Sequence, residues 1–239
     1  MTTEIHHDGV TIAMCRGGRG RPLVLCPGLL TTQDDLRELI ELLRLDHDVL
    51  SFDLRGHGRS SPADRYTFDA FLGDLTAVLA TLDEPPLLVG HSLGADLAVH
   101  HAAEHAVAGL VLIDGANPVP EPFLGEADLP EFRAMAEELA AHQSLSAADI
   151  LGLNLEIDVV RAGILDRYRQ LDCPITMIMS TSMAGSSEEG RTPWRNRNWR
   201  AGVDRLTREL PSITTHWLDA DHQLVVTHAP EIARILGRC

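Results

Sequence analysis

Short apolar runs alternate along the chain with stretches whose apolar residues recur at helical spacing. That alternation predicts an α/β fold, a mostly parallel central sheet flanked by helices, because parallel strands need crossovers and helices supply them. The first two runs differ. Glu4 to His7 and Val10 to Arg16 alternate around Asp8-Gly9, a favoured two-residue turn, and read as a hairpin followed by a loop from Gly17 to Gly20. Pro22 to Cys26 reads as a buried strand, Thr32 to Arg44 as a helix with its apolar stripe at Leu36, Leu39, Ile40 and Leu43, and Asp48 to Leu54 as the next strand. Thr67 is placed to cap a helix reaching about Leu82, and Pro85-Pro86 resets the chain for a strand from Leu87 to Gly90. A helix should start just after Ser92. Strands follow at Gly109 to Asp114 and Pro174 to Ser180, then a helix to Leu210, a last strand near Thr214 to Leu218 and a terminal helix from His228.

The interval between the strands ending at Asp114 and starting at Pro174 is far longer than a simple crossover needs, and it carries helical patterns near Glu131 to His142 and Ala147 to Leu171. It reads as a helical cap. The organisation expected is therefore a core made of residues 1–114 and 174–239, with a cap insertion over residues 115–173 and a hinge near Glu121, Pro122, Phe123 and Leu124.

Composition narrows the class. A chain of 239 residues fits one large α/β domain with an insertion. Its formal net charge of -15 repels phosphate backbones and anionic lipid, so neither nucleic acid nor a membrane is an expected partner. All 20 basic residues are arginine, which excludes Schiff-base chemistry on lysine and the lysine of a phosphate-binding loop. Cys15, Cys26, Cys173 and Cys239 are scattered and read as free thiols, with no zinc spacing. No apolar run approaches the ~18 residues of a membrane span, and a cytoplasmic location is the expectation.

The chemistry starts at Gly90-His91-Ser92-Leu93-Gly94, a G-x-S-x-G placed between an apolar strand and a helix. A serine on a tight strand-to-helix turn projects its hydroxyl into a cleft, and flanking glycines allow the close backbone packing of that turn. Ser92 is the candidate nucleophile.

With three further segments, this motif resembles the α/β-hydrolase superfamily over nearly the whole chain outside the cap. Leu25-Cys26-Pro27-Gly28-Leu29-Leu30 is similar to the loop after the third strand that supplies an oxyanion donor, though Pro27 stands where the family often has histidine. Asp53-Leu54-Arg55-Gly56-His57-Gly58-Arg59-Ser60 matches the family's D-x-R-G-x-G-x-S loop, and Asp219-Ala220-Asp221-His222 matches the place of its histidine. The resemblance implies acyl transfer from an ester or thioester through an acyl-Ser92 intermediate, with His222 as general base, backbone N–H groups of Leu29 and Leu93 as the oxyanion hole, and no metal or organic cofactor. The family's commoner acid position follows the strand at Pro174 to Ser180, yet no carboxylate stands there. Asp114 ends the preceding strand, a location that some members of the family use instead, and the resemblance assigns it the role of orienting His222.

Other residues have plainer readings. The glycines around His57 suggest a turn, His91 should pack beside the nucleophile, and Cys26 reads as a buried strand residue. His101 and His105 have the spacing of a helical metal pair without a third ligand in view. The run Arg191, Arg195, Arg197, Arg200, Arg205 and Arg208 reads first as a solvated face, with Trp194 and Trp199 as packing anchors or channel lining. Two alternatives stay open beside the small-molecule acyl substrate. One is an acyltransferase or thioesterase acting on an acyl carrier protein, with Arg195 and Arg197 docking the partner or its phosphate. The other is a ligand receptor on the same scaffold without turnover.

Overall fold

A computed structural model describes residues 2–126, 128–141 and 144–237; His142 and Cys239 lie outside them. Strands β1 (Thr2–His7) and β2 (Val10–Gly18) form the expected hairpin, in which Asp8 and Gly9 take φ of 49° and 76°. Two successive positive φ values define the turn that matches strand twist, and Asp-Gly tolerates them. Gly17 and Gly18, expected in a loop, extend β2 because they pair with β4.

The remaining strands are β3 (Arg21–Cys26), β4 (His47–Phe52), β5 (Leu87–His91), β6 (Gly109–Ile113), β7 (Ile175–Ser180) and β8 (Thr214–Leu218). They run parallel to one another in an eight-stranded sheet of order β1-β2-β4-β3-β5-β6-β7-β8. Side chains alternate between its faces. Val24, Leu88, Leu110 and Leu112 face α2 (Phe68–Leu79), α3 (Leu93–Ala102) and α7 (Thr192–Glu209), which add Phe71, Leu97 and Leu206 to that core. Leu23, Leu25, Val89 and Val111 face α1 (Arg37–Leu43), α8 (Leu224–Thr227) and α9 (Ala229–Leu236). Burial on both faces explains why the central strands read as unbroken apolar runs, each buried Leu or Val contributing roughly 1.5–3 kcal/mol.

Between β6 and β7 lie α4 (Leu129–Ala140), α5 (Ala147–Ala162) and α6 (Ile164–Tyr168). Ser146 and Asp149 form a capping box that starts α5. The helical pattern expected from Ala147 to Leu171 is interrupted at Gly163, a poor helix former, whereas Gly152 is accommodated within α5. The insertion is tied to the core by buried polar contacts: Arg161 of α5 reaches Asp96 of α3, and the Tyr168 hydroxyl donates to the Ala116 carbonyl at 2.7 Å. Helix α1 is shorter than its apolar pattern suggests. The Gln33 N–H donates to Asp53 Oδ1 at 2.8 Å, while Thr32 and Asp35 bond to each other, so residues 32–36 form turns. The short α8 went unforeseen.

Candidate active site

Ser92 occupies the turn from β5 into α3 with φ 52° and ψ -119°, a conformation that costs a non-glycine residue of order 1–3 kcal/mol and persists only where its surroundings enforce it. Those surroundings are visible. The Ser92 N–H donates to the Ile113 carbonyl at 2.9 Å. A Cβ on Gly90 would overlap the Gly94 backbone, and one on Gly94 would overlap the carbonyl oxygens of Cys26 and Pro27. Both motif glycines are thus required by close backbone approach.

His222 lies in the loop between β8 and α8. The Ser92 hydroxyl donates to His222 Nε2 at 2.9 Å, and His222 Nδ1–H donates to Asp114 Oδ2 at 2.7 Å. Asp114 is fully buried at the end of β6, with φ 46°. Its Oδ1 accepts the Ser180 N–H, the Ser180 hydroxyl and the Trp199 indole N–H, each at 2.9 Å. Burial alone would raise this carboxyl's pKa, but the hydrogen bond and charge of His222, with the bonds from Ser180, hold it below the ordinary carboxylate value. The other acids weighed in the sequence lie elsewhere: Asp219 accepts from Thr181, Asp221 from the Gln223 N–H, and Glu188 and Glu189 are exposed.

Ser92 and His222 open into a cavity of about 360 Å³. Leu29, Phe123, Phe132, Met135, Ile157 and Met183 supply apolar walls, and Asn154, Asp158 and Arg161 of α5 supply polar ones. Helices α4 and α5 therefore contribute walls to the cavity into which the serine opens. Leu29 and Leu93 flank it, and the Leu93 N–H is the first of α3, where amides lack an intrahelical acceptor. Next to Leu29, the Leu30 N–H donates to His57 Nε2 at 2.9 Å, while His57 Nδ1–H donates to the Arg55 carbonyl at 2.8 Å. These bonds fix the tautomer of His57, whose pKa burial lowers, and they pin Leu30 at φ 61°. His57 thus braces the loop that presents Leu29.

His91 is buried beside His222, with ring centroids 5.1 Å apart. Burial first, then the charge of His222, lowers its pKa to about 3. His101 and His105 stack on each other at 4.4 Å, and no metal-binding group of three or more ligands occurs among the described residues. Cys26 is buried and its pKa is pushed up by burial. Of the arginines proposed for docking, Arg195 is turned inward, where it pairs with Asp128 and Glu131 and stacks over Phe132. Arg191 pairs with Asp128 over Trp194, and Arg200 donates to the Thr181 carbonyl. The solvated-face reading holds for Arg191, Arg197 and Arg208, which are exposed, and is corrected for Arg195, which acids of α4 and its N-terminus draw in. Sequence reasoning missed Ser180, the Trp199 indole bond, Asp158 and Arg161 at the cavity, and Asp96 buried behind Arg161.

A protein-family model described as the alpha/beta hydrolase fold matches residues 21–149, more than half of the chain. The chain belongs to that family. Hydrolase-family enzymes are likewise what it resembles among named proteins. Over 121 residues it is 34% identical to the non-heme chloroperoxidase CPO-A1 of Kitasatospora aureofaciens, covering 47% of this chain and 43% of that one. Over 111 residues it is 37% identical to the N-formylmaleamate deformylase of Pseudomonas putida, covering 44% and 41%. These matches span less than half the length of either relative. Among solved structures, a carboxylesterase of the thaumarchaeon Nitrososphaera gargenis superposes with a TM-score of 0.77 at 20% identity, over 99% of this chain and 96% of that one, a likeness of fold. No helix of the described residues is long and apolar enough to cross a membrane.

Proposed function

We propose that this α/β hydrolase is a serine hydrolase that cleaves a small acyl ester or thioester through an acyl-Ser92 intermediate. The observation that carries the reading is the unbroken chain of hydrogen bonds from Ser92 Oγ through both nitrogens of His222 to Asp114, at 2.9 and 2.7 Å, opening into a cavity. A serine hydroxyl is a weak nucleophile until a base removes its proton. His222 Nε2 takes that proton as Oγ attacks the acyl carbonyl, and Asp114 holds Nδ1–H and stabilises the imidazolium that forms. The tetrahedral oxyanion would be met by the N–H groups of Leu29 and Leu93. His222 then returns the proton to the leaving alcohol or thiol, and water repeats the sequence on the acyl-enzyme. Relatives named as deformylases, lipases and esterases, which cleave bonds to acyl groups, support this chemistry.

The test is covalent. A fluorophosphonate should label Ser92, Ser92→Ala should take up none, and His222→Ala should label several powers of ten more slowly, because nucleophile and base act as a unit. Labelling that survives Ser92→Ala, or a normal rate in His222→Ala, rejects the mechanism, and a wild-type chain that never labels favours a receptor without turnover.

A further inference from the structure

Two arginines are buried against aspartates in this molecule, and they differ in one nitrogen. Arg55 uses every arm: Nε and Nη2 donate to Asp74 at 2.6 and 2.8 Å, and Nη1 to Asp8 and the Arg65 carbonyl, each at 3.3 Å. Arg161 gives Nε and Nη2 to Asp96, the closest contact 2.6 Å, but its Nη1 has no hydrogen-bond partner among the described residues. Arg161 is only 9% exposed, and what remains accessible lines the Ser92 cavity. That nitrogen is open to the cavity, where a ligand acceptor can take the place of water. One turn of α5 earlier stands Asp158, also in the cavity wall, whose Oδ2 accepts the Leu124 N–H at 2.9 Å. The wall thus offers a donor beside a carboxyl group.

Charge decides what fits between them. Arg161 is already neutralised by Asp96, and Asp158 and Asp114 lie close enough to act on it electrostatically. Arg195, the other cation in the cavity wall, is matched by Asp128 and Glu131. Acids outnumber bases here, so a second carboxylate would meet repulsion. Burial raises the Asp158 pKa, which is the response of a carboxyl in an environment hostile to more negative charge. A hydroxyl, which accepts from Arg161 and donates to Asp158, meets no such penalty. Ser92, Arg161 and Asp158 line the same cavity, so the polar pair faces the space that an acyl group on Ser92 would occupy.

Resting on the serine-hydrolase reading, we infer that the cavity selects acyl substrates with an uncharged hydroxyl near the acyl carbonyl, held by Arg161 Nη1 and Asp158, and rejects those with a carboxylate there. The reaction is unchanged; only the acyl group is specified.

Three p-nitrophenyl esters test this: butanoate, 3-hydroxybutanoate and the succinate half-ester, compared by kcat/KM. The hydroxy ester should exceed butanoate about tenfold, the order expected for a hydrogen bond to a charged group, and the half-ester should fall below both. Arg161→Leu strands Asp96 and risks unfolding, so Asp158→Asn, which can still accept the Leu124 N–H, is the better variant. It should improve the half-ester relative to the hydroxy ester about tenfold. Equal rates for all three, a preferred half-ester, or no change of ratio in Asp158→Asn overturns the inference. Absence of fluorophosphonate labelling at Ser92 instead overturns the reading beneath it.

Discussion

Asp74 and Asp114 are both fully buried, and each accepts a hydrogen bond from a histidine Nδ1, His7 at 3.0 Å and His222 at 2.7 Å. Their other partners differ. Asp74 faces the guanidinium of Arg55, which neutralises it permanently. Asp114 is surrounded by the neutral donors Ser180 and Trp199, which hold it ionised without cancelling its charge. A permanent cation makes a carboxylate a staple: the pair holds the D-x-R-G loop to α2 and β1 and has nothing left to give a transient charge. Neutral donors leave the charge available, so a proton arriving on His222 finds a carboxylate that no cation bonds directly, in a medium of low dielectric. One carboxylate–histidine contact therefore serves architecture and the other suits catalysis, and the deciding feature is the third partner.

Removing each charge should separate the roles. Asp114→Asn should slow fluorophosphonate labelling and ester turnover by about 10⁴, because the amide favours the wrong tautomer of His222, with little change in Tm. Asp74→Asn should do the reverse. Arg55 would be left buried without its bidentate partner, costing about 3–5 kcal/mol by denaturant unfolding, while the labelling rate per folded molecule stays normal. A large activity loss in folded Asp74→Asn, or none in Asp114→Asn, would erase the distinction.

The same contrast marks how much of the molecule is legible in the sequence. Ser92 and His222 sit in local patterns whose geometry is dictated within a few residues: two obligatory glycines around one, a strand end before the other. Asp114 was reachable because no carboxylate stands after β7. The strands of the sheet core were read nearly to the residue, since burial on both faces leaves unbroken apolar runs. Arg161 and Asp158 were not legible as site residues, and Trp199 only as a packing anchor or channel lining. They lie on α5 and α7, where amphipathic spacing predicts a helix but not which face meets the cavity, and the break at Gly163 separates α5 from the direction taken by α6. Arg195 misled for a similar reason, as its counter-charges come from a distant part of the chain.

If Asp114 is to answer the charge of His222, His91 must remain neutral beside that ring. Its folded pKa of about 3 lies below the ordinary histidine value of about 6.5, so the unfolded chain binds a proton that the native state refuses. The stability contributed is complete above pH ~6.5 and is lost as the pH falls towards 3. Between pH 7 and 5 that amounts to about 2 kcal/mol, and His91→Met should lose correspondingly less stability over the same interval. Parallel urea-unfolding curves for the two proteins at both pH values would show that His91 titrates normally in the fold.

The smallest effect expected is at Trp199, and it probes how the neutral donors share their work. The indole N–H reaches the same Oδ1 that already accepts two bonds from Ser180, while the ring stands edge-on to His222 with centroids 6.3 Å apart. Trp199→Phe deletes the donor and keeps an aromatic ring in the buried site. Removing one bond to a carboxylate costs about 1.5 kcal/mol when others remain, so acylation should slow about tenfold, far less than in Asp114→Asn. Because the indole holds Asp114 in place for an imidazole that becomes charged only as Ser92 attacks, the loss should appear in kcat rather than KM. A defect confined to KM would make Trp199 a wall of the cavity, and a loss of about 10⁴, the size set by Asp114→Asn, would mean that this single donor, rather than the set, keeps Asp114 in place.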